Sequence, residues 1–257
     1  MLILKAHNKG YTRKDGSYVR PFDDSRIKKD LFGMPLVKPS QKPSTSPKSK
    51  PKAYHPKAND HGKPVALHGP SEPSSQAAWA DPEQVATVVP EGDMPVELNG
   101  TVFESWEPPE DWEDVEGQSD DVDEPPVHLT KGKSLSSGVL IEEPDGRVWV
   151  VHPTNAFGGY KATFPKGRVE SDLTIQANAI KECWEESGLK VAITGFVGDF
   201  ERTTTVTRFY RAVRMGGTPA NMGWESQAVS LVPKEKLTDI LNAKIDHDVV
   251  SAFLSMD

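Results

Sequence analysis

Only one cysteine, Cys183, occurs in the 257 residues, so no disulfide can form within the chain. That scarcity fits a reducing compartment, and a cytoplasmic location is expected. No apolar run reaches the roughly 20 residues of a membrane helix. The opening MLILKAHNKG lacks the apolar core and small-residue cleavage site of a secretory leader, so a soluble protein without a membrane partner is expected. Apolar residues are also scarce, at 36% with a mean hydropathy of −0.54, and part of the chain is expected to be disordered. The most local absence is of basic residues. From Pro64 to Thr130 there is neither lysine nor arginine.

That gap divides the chain. Residues 1–63 carry about +10, residues 64–130 about −17, and the remainder is nearly neutral. Residues 1–36 form a basic N-terminal segment in which Lys14-Asp15-Gly16 is a turn signal between β-prone pieces. The stretch GYTRKDGSYVRPF also resembles short basic leaders of some phage proteins. Residues 37–93 read as a disordered linker, basic and then acidic, rich in Pro and Ser with little to bury. Residues up to about 90 are accordingly expected to be dispensable for activity on a small substrate. The basic arm is either a nucleic-acid contact or a solvated tail. Residues 94–127 differ. Asn99-Gly100 between short apolar pieces is a hairpin cue, and Trp106 and Trp112 need cover. This piece is expected to be an ordered arm docked on the C-terminal domain.

Residues 128–257 have the pattern of a packed domain. Ser137–Ile141 and Val148–Val151 flank a Pro-Asp-Gly turn as a hairpin. A glutamate-rich helix follows, then strands at 191–200, 203–213 and 228–232, and short helices at 234–241 and 246–254. This order predicts an α+β layered domain. In the central helix, Ile175, Ala179 and Cys183 make a buried stripe, Asp172 or Thr174 is placed to cap its start, and Gly188 to end it. Glu182, Glu185 and Glu186 crowd another face, where like charges repel by a few tenths of a kcal/mol per pair. A cation among them explains the cluster, and carboxylate oxygens on a rigid helix suit Mg²⁺ or Mn²⁺.

The stretch from Gly167 to Leu189 resembles the box of the Nudix hydrolase family, G-x5-E-x7-R-E-U-x-E-E-x-G-U with U aliphatic. Gly167, Glu182, Glu185, Glu186, Gly188 and Leu189 fall in register. Phe164-Pro165-Lys166 before the box and Gly223-Trp224-Glu225 after it resemble the family as well. Two positions depart: Leu173 stands for the loop glutamate and Lys181 for the arginine. In the family these two brace loop against helix, so a weakened brace is expected here, with Lys181 turning to solvent, Glu170 or Asp172.

The resemblance implies a Nudix-type α/β/α sandwich with a mixed sheet over residues 128–257. It implies a metal-dependent pyrophosphohydrolase acting on a nucleoside diphosphate linked to another moiety, of the ADP-ribose, NADH, dinucleoside polyphosphate or capped RNA type. Gly167, Glu182, Glu185 and Glu186 are the implied metal ligands. Glu225, Glu186 and Glu182 are candidates for the general base, with Glu201 a weaker one. Arg168, Arg202 and Arg208 are candidate phosphate contacts. Phe157 and Tyr160 either stack on a base or cover the core. His152 and His247 lack partners at metal spacing and read as structural. A homodimer is a further possibility. The alternative reading is a catalytically weak Nudix-fold module that senses or binds a nucleotide; Leu173 and Lys181 favour it, whereas the intact glutamate set favours turnover.

Overall fold

The computed structural model describes Tyr11–Thr12, Tyr18–Val19 and residues 53–256. The chain divides into two units, Met1–Ser49 and Lys50–Asp257. In the first, β1 (Tyr11–Thr12) pairs antiparallel with β2 (Tyr18–Val19), on either side of the expected turn. Most of the basic arm, including the linker up to residue 52, lies outside the described residues.

The second unit opens with β3 (Ala53–Tyr54), β4 (Ala66–Leu67), α1 (Gln76–Ala80), β5 (Ala86–Val88), β6 (Glu97–Leu98) and β7 (Thr101–Val102). The domain proper follows: β8 (Ser134–Glu142), β9 (Arg147–Pro153), β10 (Lys166–Arg168), α2 (Ile175–Ser187), β11 (Leu189–Glu201), β12 (Thr205–Gly217), β13 (Ser226–Pro233), α3 (Leu237–Ile240) and α4 (Lys244–Leu254). The sheet order is β11-β12-β8-β9-β13-β5, with β10 also on β8. It is mixed, because β12 runs parallel to β8 while the other pairs are antiparallel.

Period-two alternation sends apolar side chains to both faces of the sheet. Val139 and Ile141 of β8 and Trp149 and Val151 of β9 join Ala179, Ile180 and Cys183 of α2 in one core. Leu140, Val148 and Val150 join Leu237 of α3 and Val249, Val250 and Phe253 of α4 in the other. A sheet apolar on both faces needs helices on both, which yields the α/β/α sandwich.

One topological detail places the site. β8 meets β10 over Ser136–Gly138 but meets β9 only at Glu142 opposite Val148. β8 and β9 therefore separate, the chain leading into β10 enters between them with Thr163 bridged to Val151, and β10 carries Gly167 beneath α2.

The N-terminal part of this unit corrects the linker reading, which ran to residue 93. From Ala53 onward the chain is built in, and β5 adds an edge strand to β13 at Val229–Leu231. Trp79, only 2% exposed, stacks 6.0 Å from Trp149. The physical reason lies in the domain. Arg147, itself buried, donates to the carbonyls of Ala78 (3.1 Å), Trp79 (2.8 Å) and Asp81 (3.2 Å) at the end of α1. Composition showed that residues 53–93 cannot build a core alone, but they share one.

Residues 94–127 pack on the α2 face through Met94, Phe103, Trp106, Trp112 and Val122. Asn99 and Gly100 both take positive φ, 53° and 81°, as a two-residue hairpin turn between β6 and β7 requires. Two more buried arginines hold this arm. Arg214 pairs with Glu143 (2.5 Å), lies over the Phe103 ring and donates to the carbonyls of Leu98 (2.9 Å) and Thr101 (3.3 Å). Arg208 pairs with Asp199 (2.7 Å) and Glu124 (2.8 Å) and donates to the Pro125 carbonyl (2.8 Å).

Glu143 also accepts from Trp149 Nε1 (2.8 Å) and Asn99 Nδ2 (3.1 Å). Glu143→Gln strands a buried guanidinium, and a loss of about 3 kcal/mol is expected. Urea unfolding monitored by tryptophan fluorescence measures it; a change under about 1 kcal/mol would show that the arm does not depend on this pair.

Candidate active site

Local sequence sets α2 in place. Thr174 caps it, its Oγ1 accepting the Ala177 N–H at 3.0 Å, and Gly188 ends it in the left-handed region at φ 72°. Of the two expected capping residues, Thr174 does the work. The buried stripe fixes the rotation of the helix, so Glu182, Glu185 and Glu186 face β10 and the turn at 223–225.

These elements enclose a cleft of about 640 Å³. Gly167 forms its floor against Glu182, and a Cβ at position 167 would run into the Glu182 carboxylate. Glu186 Oε2 accepts the Lys166 N–H at 3.1 Å. The Gly223 N–H donates to the Glu185 carbonyl at 2.8 Å and draws the following turn against α2. Thr154 fixes that turn from behind: its N–H donates to the Glu225 carbonyl (2.7 Å) and its hydroxyl to the Trp224 carbonyl (2.8 Å). Glu225 thereby joins the cleft across from α2.

Burial and mutual repulsion raise the carboxyl pKa values. Burial, then Glu186 and Glu185, push Glu182 up to about 8. Burial pushes Glu186 up to about 7, with Lys166 opposing. Glu185 is raised chiefly by burial, and Glu225 by burial and then by Asp60 and Glu185. Such a set fits a divalent ion on two grounds: the donors are all oxygen, and the missing Cβ at Gly167 lets the Glu182 carboxylate lie directly against main chain. Among the described residues no group of three or more acidic, His or Cys side chains converges as a metal site.

The departures from the family box have a physical account. Lys181 Nζ reaches Glu170 at 2.7 Å and Glu185 at 3.2 Å, so the loop-to-helix brace is rebuilt three residues earlier. Burial works against the Lys181 charge, but the two carboxylates hold its pKa above the ordinary value. Leu173 packs on the α2-side core instead. The bracing is moved rather than weakened.

Of the five candidate substrate contacts, Arg168 lines the cleft. Arg202 is tied to buried Asp246 at 2.6 Å and to the Tyr160 hydroxyl at 3.1 Å, and Arg208 to the arm. Tyr160 lies under Lys166 Nζ, 5.1 Å from its centroid. Phe157 is 81% exposed outside the cleft lining. Glu201 pairs with Lys133 at 2.8 Å, also outside. His152 is held by the Lys161 carbonyl and Ser230, and His247 by the Leu241 carbonyl. Sequence reasoning missed Lys57 and Asp60, which line the cleft from the stretch read as linker. It also gave no role to Trp224, whose Nε1 donates to Asp60 at 2.9 Å. No local signal marks these residues.

A mixed sheet between helices, with a glycine strand delivering main chain to a glutamate helix, is the arrangement the Nudix resemblance implies. Residues 132–253 match the family model described as NUDIX domain. Among curated proteins the chain is similar to a MutT-like protein of Streptomyces ambofaciens, 29% identical over 125 residues that cover 48% of this chain and 75% of that one. Among solved structures it is similar to a NUDIX hydrolase from Nitrosomonas europaea, at 20% identity and TM-score 0.42 over 49% of this chain and 73% of that one. It is also similar to the MutT protein from Methanosarcina mazei Go1, at 18% identity and TM-score 0.41 over 50% and 98%.

The raised carboxyls set a pH dependence. Glu182 and Glu186 keep protons in the fold that the unfolded chain releases near pH 4.5, so metal-free stability falls as pH climbs from about 4.5 to about 8. With chelator present, the melting temperature is expected to drop across that window, and to drop less in Glu182→Gln. Equal slopes for parent and variant would remove the repulsion argument.

Leu173→Glu places a carboxylate among apolar neighbours and is expected to cost about 1–3 kcal/mol, even when combined with Lys181→Arg. Thermal melts of the single and double variants test this. A double variant more stable than the parent would show that the loop can still take the family's own brace.

Proposed function

We propose that the protein is a divalent-metal-dependent pyrophosphohydrolase that cleaves the diphosphate of a nucleoside diphosphate joined to another moiety. The observation that carries this reading is the placement of Glu182 against the side-chain-free main chain of Gly167, with Glu185 and Glu225 lining the same open cleft and Glu186 bound to the Lys166 N–H on the adjoining strand. Glu182, Glu185 and Glu186, with the Gly167 carbonyl, would hold Mg²⁺ or Mn²⁺. When bound, the ion supplies charge neutralisation at the phosphate oxygens and lowers the pKa of the attacking water.

The chain's own residues do the rest. The Lys181–Glu170 pair keeps the loop before α2 in place, so Glu182 and Glu185 stay aimed at β10. Arg168 presents a forked cation to phosphate oxygens. Glu225 stands off the helix across the cleft from Glu182 and Glu185, where it would take the proton of the attacking water. Candidate substrates remain those the family resemblance implies. The Lys181–Glu170 pair supports turnover over the binding-module alternative, because it gives the cation at the departing position a partner.

The experiment is turnover of a panel of nucleoside diphosphate derivatives with Mg²⁺ or Mn²⁺, with products identified. Glu185→Gln and Glu186→Gln are expected to lose at least about 10²-fold in kcat with the fold intact by circular dichroism. Glu225→Gln is expected to lose about 10²–10⁴-fold. Parent-like rates in both helix variants would overturn the assignment.

A further inference from the structure

The segment Ala53–Leu67 forms one wall of the cleft. Its base is fixed at several points. β3 pairs with β4, and His55 is buried. Asn155 donates to the Ala66 carbonyl at 2.7 Å and accepts the His68 N–H at 2.8 Å. Its tip is a closed turn in which Asn59 Oδ1 accepts the N–H groups of His61 (3.1 Å) and Lys63 (2.9 Å). The tip meets the domain twice, at Trp224 Nε1 to Asp60 Oδ1 (2.9 Å) and at Lys57 Nζ to the Asn221 carbonyl.

The cleft holds many carboxylates, so its cations decide whether a diphosphate can be received. Lys181 is committed to Glu170 and Glu185. Lys166 lies over the Tyr160 ring, and Arg168 on β10 is the phosphate contact already assigned. Lys57 is different. Its ammonium meets a neutral carbonyl, and among the described residues no carboxylate forms an ion pair with it. Lys57 is exposed at the edge of the cleft; the buried part of its side chain lowers its pKa, and Glu91 opposes that shift without forming an ion pair. An incoming anion supplies what the site lacks. Asp60 acts differently: its bond to the indole fixes the Trp224 ring as a flat wall beside the carboxylates.

We propose that this strap belongs to the substrate site, with Lys57 as a phosphate-binding residue and Asp60 as a positioning residue for Trp224. The inference rests on the hydrolase reading, and it adds that substrate choice depends on a segment outside the Nudix domain. Binding of ADP to the full chain with Mg²⁺, followed by calorimetry, separates the two readings. Lys57→Met keeps the aliphatic stem and removes the charge; it is expected to weaken ADP about tenfold or more, with Lys57→Arg recovering most of the loss. The melting temperature should stay at the parent value in both. Asp60→Asn and Trp224→Phe should each shift KM, and their double variant should shift it no further than the larger single change. Parent-like ADP affinity in Lys57→Met, or no ADP binding by the parent, overturns the role of Lys57. A fall in melting temperature without change in affinity makes Lys57 a strap anchor and also overturns it. ADP binding that depends on Lys57, in a parent that hydrolyses no member of the panel, leaves the strap standing and removes only the hydrolase reading.

Discussion

Three buried guanidiniums govern how this chain is put together. Arg147, Arg208 and Arg214 project from the sheet of the Nudix domain, and each is completed by acceptors from residues 78–125. A buried arginine needs its hydrogen bonds and its counter-charge at once, because losing either leaves several kcal/mol of desolvation uncompensated. Asp145, Asp199 and Glu143 supply part of that within the domain. The carbonyls of Ala78, Trp79, Leu98, Thr101 and Pro125 supply much of the rest. The acidic stretch is therefore a missing part of the domain's core, and its lack of lysine and arginine removes competitors for the same acceptors.

The candidate active site depends on that assembly at one remove. The arm presses Trp106 and Trp112 onto Trp184 of α2, with Trp112 and Trp184 centroids 5.6 Å apart. Ser119 and Gln176 exchange hydrogen bonds at the start of the same helix. α2 is thus held from its outer side while β10 and the Gly223 turn hold its inner side. The glutamates repel one another, and such a cluster keeps its geometry only on a helix that cannot shift.

Local chemistry made the helix legible. Thr174, the Ile175-Ala179-Cys183 stripe and Gly188 identify start, face and end without reference to the rest of the chain. The hairpins were legible for the same reason, since Asn99-Gly100 and Pro144-Asp145-Gly146 act within a few residues. The isolated arginines were not. A guanidinium beside β-strand residues reads equally well as a phosphate clamp or as a buried tie, and only its neighbours decide. Arg202 has Asp246 some forty residues on, and Arg208 has Glu124 from the arm. Lys57 and Asp60 were hidden by composition, because a Lys- and Pro-rich stretch has too little apolar surface to fold unaided.

By itself, then, the sequence determined what short-range forces control: strand alternation, helix caps, tight turns, and a glutamate spacing that crowds carboxylates on one helix face. Tertiary structure alone decided which charges meet. It gave Lys181 to Glu170, spent Arg202 and Arg208 on structure, and brought the strap at residues 53–67 across the cleft. The ties of Arg202 to Asp246 and of Arg208 to Glu124 join residues far apart in the chain, and the energies of all these pairings depend on burial, which no local pattern encodes.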